Sequence, residues 1–339
     1  MFKSEFKVGS RTIGGGNPTF IVAEIGVNHF GDLLEGNHLV DMAVEAGVDA
    51  VKFQLFDVDE LFSKGFEYWK NRLREKQINI SQLVDMHNYA IGQGLLSFCT
   101  PHDFKSLEDI ENRINPGFYK IGSGECRNFD FIKEICSLGK PVILSTGMYS
   151  HKDILDTLDV ISDIGLSELA VLHCVTKYPV PNKEANLSAL SVIKNYFNGI
   201  VGYSDHTQGN LACFTSVALG AKIIEKHITR RINVENAQDW RVSASQHDLK
   251  SLVQGIRQIE ESLGTGIKPS DSESDSIEWA QKSIAYRSDL KKGSRLKRQD
   301  IITVRPGNGI RPERAEELVG LVLLKDVLAR NLVDREDLI

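Results

Sequence analysis

Two imidazoles give the sequence its first chemical hint. His206 stands just past a strand-like run in VGYSDHT and His227 near the end of another in KIIEKHIT, with the helical stretch QGNLACFTSVALGA between them. In a parallel strand–helix–strand unit the two strands are neighbours whose C-terminal ends open on the same side. Two imidazoles at one mouth can bind a metal ion and leave coordination positions open for substrate. The alternative is that His206 caps a loop and His227 packs in a core. Lys52 and Lys120 lie toward the ends of other apolar runs, and Thr100, Ser123, Ser145 and Ser204 bring hydroxyls to the same rim. Two cations and several hydroxyls make a phosphate or carboxylate cradle even without a P-loop. The competing reading pairs each lysine with a carboxylate such as Glu24 or Glu125. A lysine Schiff base is a third possibility. With only two histidines, Glu24, Asp239 or water must complete a metal shell, a mixed N/O set suited to Lewis-acid manganese or magnesium rather than closed zinc.

The elements that must position these residues alternate. Strand-like apolar runs at 18–26, 49–56, 95–101, 117–123, 141–147 and 169–175 alternate with amphipathic helical patterns, and the two histidine-bearing runs complete the set. Eight such units over about 265 residues fit an α/β chain folded as a TIM (β/α)8 barrel, with strands buried on both faces. A doubly wound sheet is the runner-up, but no Gly-rich dinucleotide fingerprint follows the first strand. Barrel chemistry sits at the C-terminal strand ends, where Glu24, Lys52, Thr100, Lys120, Ser123, Glu125, Ser145, Thr176, Tyr178, Ser204, His206 and His227 collect. The segment 57–79 is polar and aromatic-bearing, longer than a simple connection needs. The barrel is expected over 1–264, a Ser/Asp-rich linker over 265–279, and a small β-rich domain over 280–339.

A net charge of −6 without any Lys/Arg run argues against a nucleic-acid partner. An anionic ligand must then be held by locally placed donors. MFKSEFKVGSRTI lacks the apolar core of a signal peptide, and no run approaches the ~20 apolar residues of a membrane helix. The five cysteines form no CxxC pair, which suits reduced thiols. The expectation is a cytoplasmic protein with no membrane partner.

The blocks EIGVNH, VKFQ, YKIGSGEC, ILSTGM, LHC with YP, GYSDHT and EKH, followed by VRPGNGI in the tail, stand in one order along the chain. Together they resemble the sialic acid (N-acetylneuraminate) synthase family, a TIM barrel followed by a small antifreeze-like (SAF) domain. The resemblance implies condensation of phosphoenolpyruvate (PEP) with the open-chain aldehyde of an N-acylated hexosamine. N-acetylmannosamine is the expected acceptor, with a diacetamido-dideoxy hexose of the legionaminate type as the alternative. It further implies that Lys52, Thr100, Lys120, Ser123, Ser145 and Ser204 hold PEP with Thr176 beside them. His206 and His227 would bind Mn²⁺, with Mg²⁺ or Co²⁺ as substitutes. Glu24, Glu125 and Asp239 would manage protons and water, and Asn71, Tyr178 and Arg305 would touch the sugar. A domain-swapped homodimer, with Arg305 reaching a partner's barrel, belongs to the same implication. The segment RRINVENAQDWRVSAS, the surroundings of Asn71 in WKNRLRE, and Thr176 all depart from the family pattern, so the sugar half of the site is left open. A lysine-dependent aldolase and a catalytically idle sugar-binding protein are the competing functions.

Overall fold

Successive side chains of a strand point to opposite faces, and eight runs use that alternation to build one ring. The computed structural model describes residues 1–235, 237 and 239–339. Two compact units divide the chain, Met1–Leu263 and Gly264–Ile339. In the first, an antiparallel hairpin of β1 (Glu5–Val8) and β2 (Arg11–Gly14) precedes the ring strands. These are β3 (Phe20–Gly26), β4 (Ala50–Leu55), β5 (Leu96–Pro101), β6 (Tyr119–Ile121), β7 (Val142–Ser145), β8 (Leu169–Cys174), β9 (Ile200–Asp205) and β10 (Ile223–His227). All pair in parallel in the order β5-β4-β3-β10-β9-β8-β7-β6, and β5 lies against β6 to close the ring.

The helices between strands are framed by local signals in the sequence. Leu33–Ala46 begins where the Asp32 side chain accepts from Leu34 N and ends at Gly47, whose φ of 78° gives the left-handed turn. His151–Ile164 opens on a Ser150/Asp153 capping box. Their apolar stripes meet the outward faces of the strands, where Ile21, Ala23, Val51, Phe53, Leu144 and Val171 belong to the larger core.

Inside the ring the strands change character along their length. Phe20, Val22, Ala50, Phe98, Phe118, Ile143, Ala170, Leu172, Ile200 and Ile223 fill the half near the strand starts. The hairpin seals that end by adding Phe6, Val8 and Ile13 to the same cluster. The segment ahead of the first ring strand is therefore a plug. Gly14 at the hairpin's end has φ +89°, and a Cβ there would collide with the Ser4 carbonyl oxygen.

The second unit pairs β11 (Ser283–Tyr286) antiparallel with β12 (Ile301–Val304). Single bridges add Ala285↔Leu332, Leu290↔Val327, Arg295↔Val322 and Leu323↔Leu338. Ile284, Tyr286, Leu296, Leu318, Leu323 and Val333 form its own small core. Part of the stretch expected to be a linker is folded: Ser274–Ala280 is helical, and the Glu278 carbonyl accepts from Gly307 N at 2.7 Å. No helix among the described residues is long and apolar enough to cross a membrane.

Candidate active site

The period of two that packs the lower half with hydrocarbon places polar groups on the same inward faces above it. β3 carries Glu24 two residues beyond Val22, β4 carries Lys52 and Gln54 beyond Ala50, and β6 carries Lys120 beyond Phe118. β9 and β10 contribute Ser204 and Glu225, paired in register, and then His206 and His227. The result is a cleft of about 260 Å³ at the C-terminal strand ends. Its lining brings together Glu24, Lys52, Thr100, Lys120, Ser123, Ser145, Thr176, Tyr178, Ser204, His206, His227 and Asp239.

At its floor lie two lysines and two glutamates, all nearly inaccessible to solvent. Lys52 Nζ is 3.1 Å from Glu24 Oε2 and 3.1 Å from Glu225 Oε2, and Lys120 Nζ is 3.6 Å from Glu225 Oε1. Glu225 Oε1 also accepts from Ser204 Oγ at 2.9 Å, and Glu24 Oε1 from Gln54 Nε2 at 2.6 Å. Lysine pairing and an anion cradle thus coexist, Lys52 meeting the expected Glu24, and Glu225 rather than Glu125 completing the set. Burial pushes the Glu24 carboxyl up to about 7, with Lys52 opposing and Glu225 reinforcing the rise. Burial also brings the Lys120 ammonium down to about 8, Glu225 opposing and Lys52 adding to the fall. A floor whose softest carboxylate protonates near neutrality readily carries net positive charge. Beside it Thr100 and Ser145 are 1% and 2% exposed, and their buried hydroxyls have no hydrogen-bond partner among the described residues. Two buried orphaned donors next to two ammonium groups are arranged for an anion's oxygens.

The histidines stand higher on the wall, ring centroids 5.4 Å apart. His206 Nδ1 donates to the Val175 carbonyl at 2.9 Å, which turns the Nε2 lone pair outward to accept from the Tyr178 hydroxyl at 3.1 Å. Burial opposes charge on His206, but Cys174 Sγ at 3.6 Å and the Val175 carbonyl hold its pKa above the ordinary value. Burial, His206 and Lys52 keep His227 well below it, so that imidazole is neutral. His227 Nδ1 is buried without a hydrogen-bond partner among the described residues, 3.9 Å from Asp239 Oδ2. A neutral imidazole with a free nitrogen, beside one whose second nitrogen is fixed by a backbone carbonyl, suits two-histidine ligation of a metal. Among the described residues no three His, Cys, Asp or Glu side chains converge as a ready-made metal site. Any metal here would need substrate or water as further ligands. A bulge aids the crowding: β3 pairs Glu24 with Lys52 but Gly26 with Phe53. A Cβ on Gly26 would lie 3.0 Å from Glu24 Oε1 and 3.3 Å from His227 Cε1.

Two expected residues lie off the cleft's lining, and a third, Arg305, belongs to the second unit, from which it was expected to reach a partner's barrel. Glu125 sits on the 3-10 turn Ser123–Glu125, where its Oε2 accepts from Asn128 Nδ2 at 2.7 Å, and it does not line the cleft. Asn71 is exposed on helix Glu67–Arg74, whose Leu73 faces the cleft instead. Arg305 belongs to the second unit, its guanidinium 5.1 Å from the Trp279 ring. Sequence reasoning also passed over Gln54, His102, Cys174 and Glu225, all of which line the cleft. Glu225 was within reach, since it lies two residues before His227 and shares its face. Lys226, between them, turns outward to a fully buried Asp205, Nζ to Oδ2 2.7 Å.

Comparison with known proteins agrees with this architecture. Residues 281–334 match the SAF domain. The N,N'-diacetyllegionaminic acid synthase of Campylobacter jejuni is 36% identical over 331 residues, covering 93% of this chain and 98% of its own. Human N-acetylneuraminate-9-phosphate synthase is 30% identical, covering 96% and 95%. The crystal structure of an N-acetylneuraminic acid (sialic acid) synthetase from Leptospira borgpetersenii superposes with a TM-score of 0.76 at 33% identity, over 81% of this chain and 95% of that one. With residues 39–268 matching the NeuB family as well, the chain belongs to that family.

Proposed function

We propose that this protein condenses PEP with the open-chain aldehyde of an N-acylated hexosamine, N-acetylmannosamine or an analogue, giving a nonulosonic acid and phosphate. One observation carries the reading: an anion cradle of Lys52, Lys120, Thr100 and Ser145 faces two imidazoles across one cleft. The relatives, which make legionaminic and N-acetylneuraminic acids or their phosphates, support it. Lys52, Lys120, Thr100, Ser123, Ser145 and Ser204 bind the carboxylate and phosphate of PEP, with Thr176 at the edge. His206 and His227 would hold a divalent metal, Mn²⁺ for preference, which when bound supplies Lewis-acid polarisation of the aldehyde oxygen.

Carbon C3 of PEP forms a bond to the aldehyde carbon, water adds to C2, and the C2–O bond to phosphate breaks, leaving the 2-keto acid. Glu24, with its pKa near 7, is the group able to give and take a proton at neutral pH, and in this reading Asp239, which lines the cleft, accepts one from the attacking water. Such transfers are each typically worth ~10²–10⁴-fold. Glu125 has no part in this reading. In the same proposal the second unit serves a partner's barrel, Arg305 meeting the sugar in a homodimer. Mixing Arg305→Ala with His227→Ala protomers should then restore activity that neither has alone.

The direct test is phosphate release from PEP with Mn²⁺ and a panel of acyl hexosamines. His206→Ala should abolish it and halve or eliminate bound metal. Chelator-insensitive trapping of an adduct at Lys120 by borohydride would point to the Schiff-base alternative.

A further inference from the structure

On β9 and β10 a histidine stands two residues above a floor group, His206 over Ser204 and His227 over Glu225. β5 repeats the pattern: His102 lines the cleft two positions beyond Thr100. In the closed ring β5 pairs with β4 and lies against β6, so His102 stands between the strands that bring Lys52 and Lys120. It is four strands from β9 in either direction, which puts it across the cleft from His206. Gly122 lets the ring settle there: a Cβ on it would lie 3.7 Å from both His102 Cε1 and Thr100 Cγ2. Among the described residues the His102 ring meets Phe56 edge-on, centroids 6.2 Å apart, and makes no hydrogen bond. Asp103, next in the chain, is occupied elsewhere, accepting from Ser106 N at 2.7 Å and Asp57 N at 2.9 Å.

The floor beneath it is short of free donors. Lys52 divides its ammonium between Glu24 and Glu225, Lys120 leans on Glu225, and Ser204 gives its hydroxyl proton to Glu225 Oε1. A carboxylate alone presents about four acceptor sites, and PEP carries a phosphate besides. The uncommitted hydroxyls are those of Thr100 and Ser145, and of Ser123, whose Oγ accepts from Gly147 N at 2.9 Å and keeps its proton free. Resting on the condensation reading above, we infer that His102 is a further PEP ligand, its ring N–H donating a hydrogen bond to an oxygen of the bound anion from the wall opposite His206. A neutral imidazole carries one N–H and one lone pair, and contact with an anion selects the tautomer whose N–H faces it. Burial, with Lys52 and Lys120 adding and Asp103 opposing, brings the His102 pKa down to about 4. The ring is therefore neutral at physiological pH. It adds a directed donor to the cradle without a third positive charge for the two lysines to repel.

Calorimetric titration of the full chain with PEP, in Mn²⁺ and without acceptor, measures this directly. His102→Phe keeps the ring's bulk against Phe56 and removes the N–H. It should weaken PEP binding about 10–100-fold, the effect of losing a hydrogen bond to a charged group. KM for PEP should rise to match, while KM for the best acceptor of the hexosamine panel, at saturating PEP, stays unchanged. Glutamine places an amide N–H where Nε2 stands and asparagine where Nδ1 stands, so His102→Gln or His102→Asn should recover most of the affinity. Thermal melting checks that all three variants fold. Unchanged PEP affinity in His102→Phe overturns the inference and leaves the condensation reading standing, as does a loss confined to the acceptor. Equal loss in all three variants marks a packing role and overturns it as well. No PEP binding by the wild type overturns the condensation reading itself, and this inference with it.

Discussion

The two halves of the barrel interior are built from the same strands and filled by opposite chemistry. Near the strand starts, Phe98 and Phe118 stack with centroids 4.2 Å apart among Ile143, Leu172 and Ile223, capped by the hairpin. Two residues further along β6 and β10 the inward positions are Lys120 and Glu225. One half is satisfied by packing alone. The other holds four ionisable groups out of water and orphans two hydroxyls, an arrangement that costs stability unless every charge is matched. Cohesion is thus concentrated at one end of the ring and chemistry at the other, with a boundary one side chain thick.

Breaking the polar half should have the largest effect. Lys52→Met leaves Glu24 and Glu225 facing each other without their shared cation. It should lower unfolding free energy by about 3–5 kcal/mol in urea titrations and cut condensation by about a hundredfold or more. Retained stability would show that the ion pairs are relaxed by water. The matching cut in the apolar half, Phe118→Ala, should cost a similar ~3–5 kcal/mol while kcat/KM changes little. A large loss of activity there would mean that the two halves are mechanically coupled.

The acidity of Glu24 gives a sharper handle. Its carboxyl is raised from 4.5 to about 7 by burial, so between those values the folded chain binds more protons than the unfolded one. Stability contributed by this group is full below pH 4.5 and is lost as pH rises through 7. Relative to Glu24→Gln, the wild type should lose on the order of 3 kcal/mol over that window. Parallel stability–pH curves would remove Glu24 as a neutral-pH proton carrier. The mildest perturbation is at the plug: Gly9→Ala puts a side chain at a φ of +56°, against the movable end of the Leu96 side chain. It should cost about 1–3 kcal/mol with no change in the pH profile of activity.

The apolar half and its strands were legible from continuous hydrophobic runs, which only a doubly covered parallel sheet explains. Most of the cleft was legible too, because residues at the C-terminal strand ends share one rim. Errors arose where the chain leaves the strands. Past Lys120 a 3-10 turn carries Glu125 away from the axis, a change of direction that no periodicity announces. On helix Glu67–Arg74, positions 71 and 73 differ by about 200° around the axis. Assigning the contact two residues early exchanged an inward leucine for an outward asparagine. Each strand of the hairpin plug has only four residues, and together they bring just Phe6, Val8 and Ile13 into the core, too short a pattern to stand out from polar surroundings.

The sealed lower end makes the chamber a cul-de-sac. In the proposed reaction the phosphate-bearing substrate occupies the innermost berth, and the bulkier sugar sits between it and the mouth at the C-terminal strand ends. Traffic must then be sequential: PEP arrives first, and a sugar that docks early blocks the passage. Excess acceptor should therefore inhibit at low PEP, and that inhibition should vanish as PEP is raised.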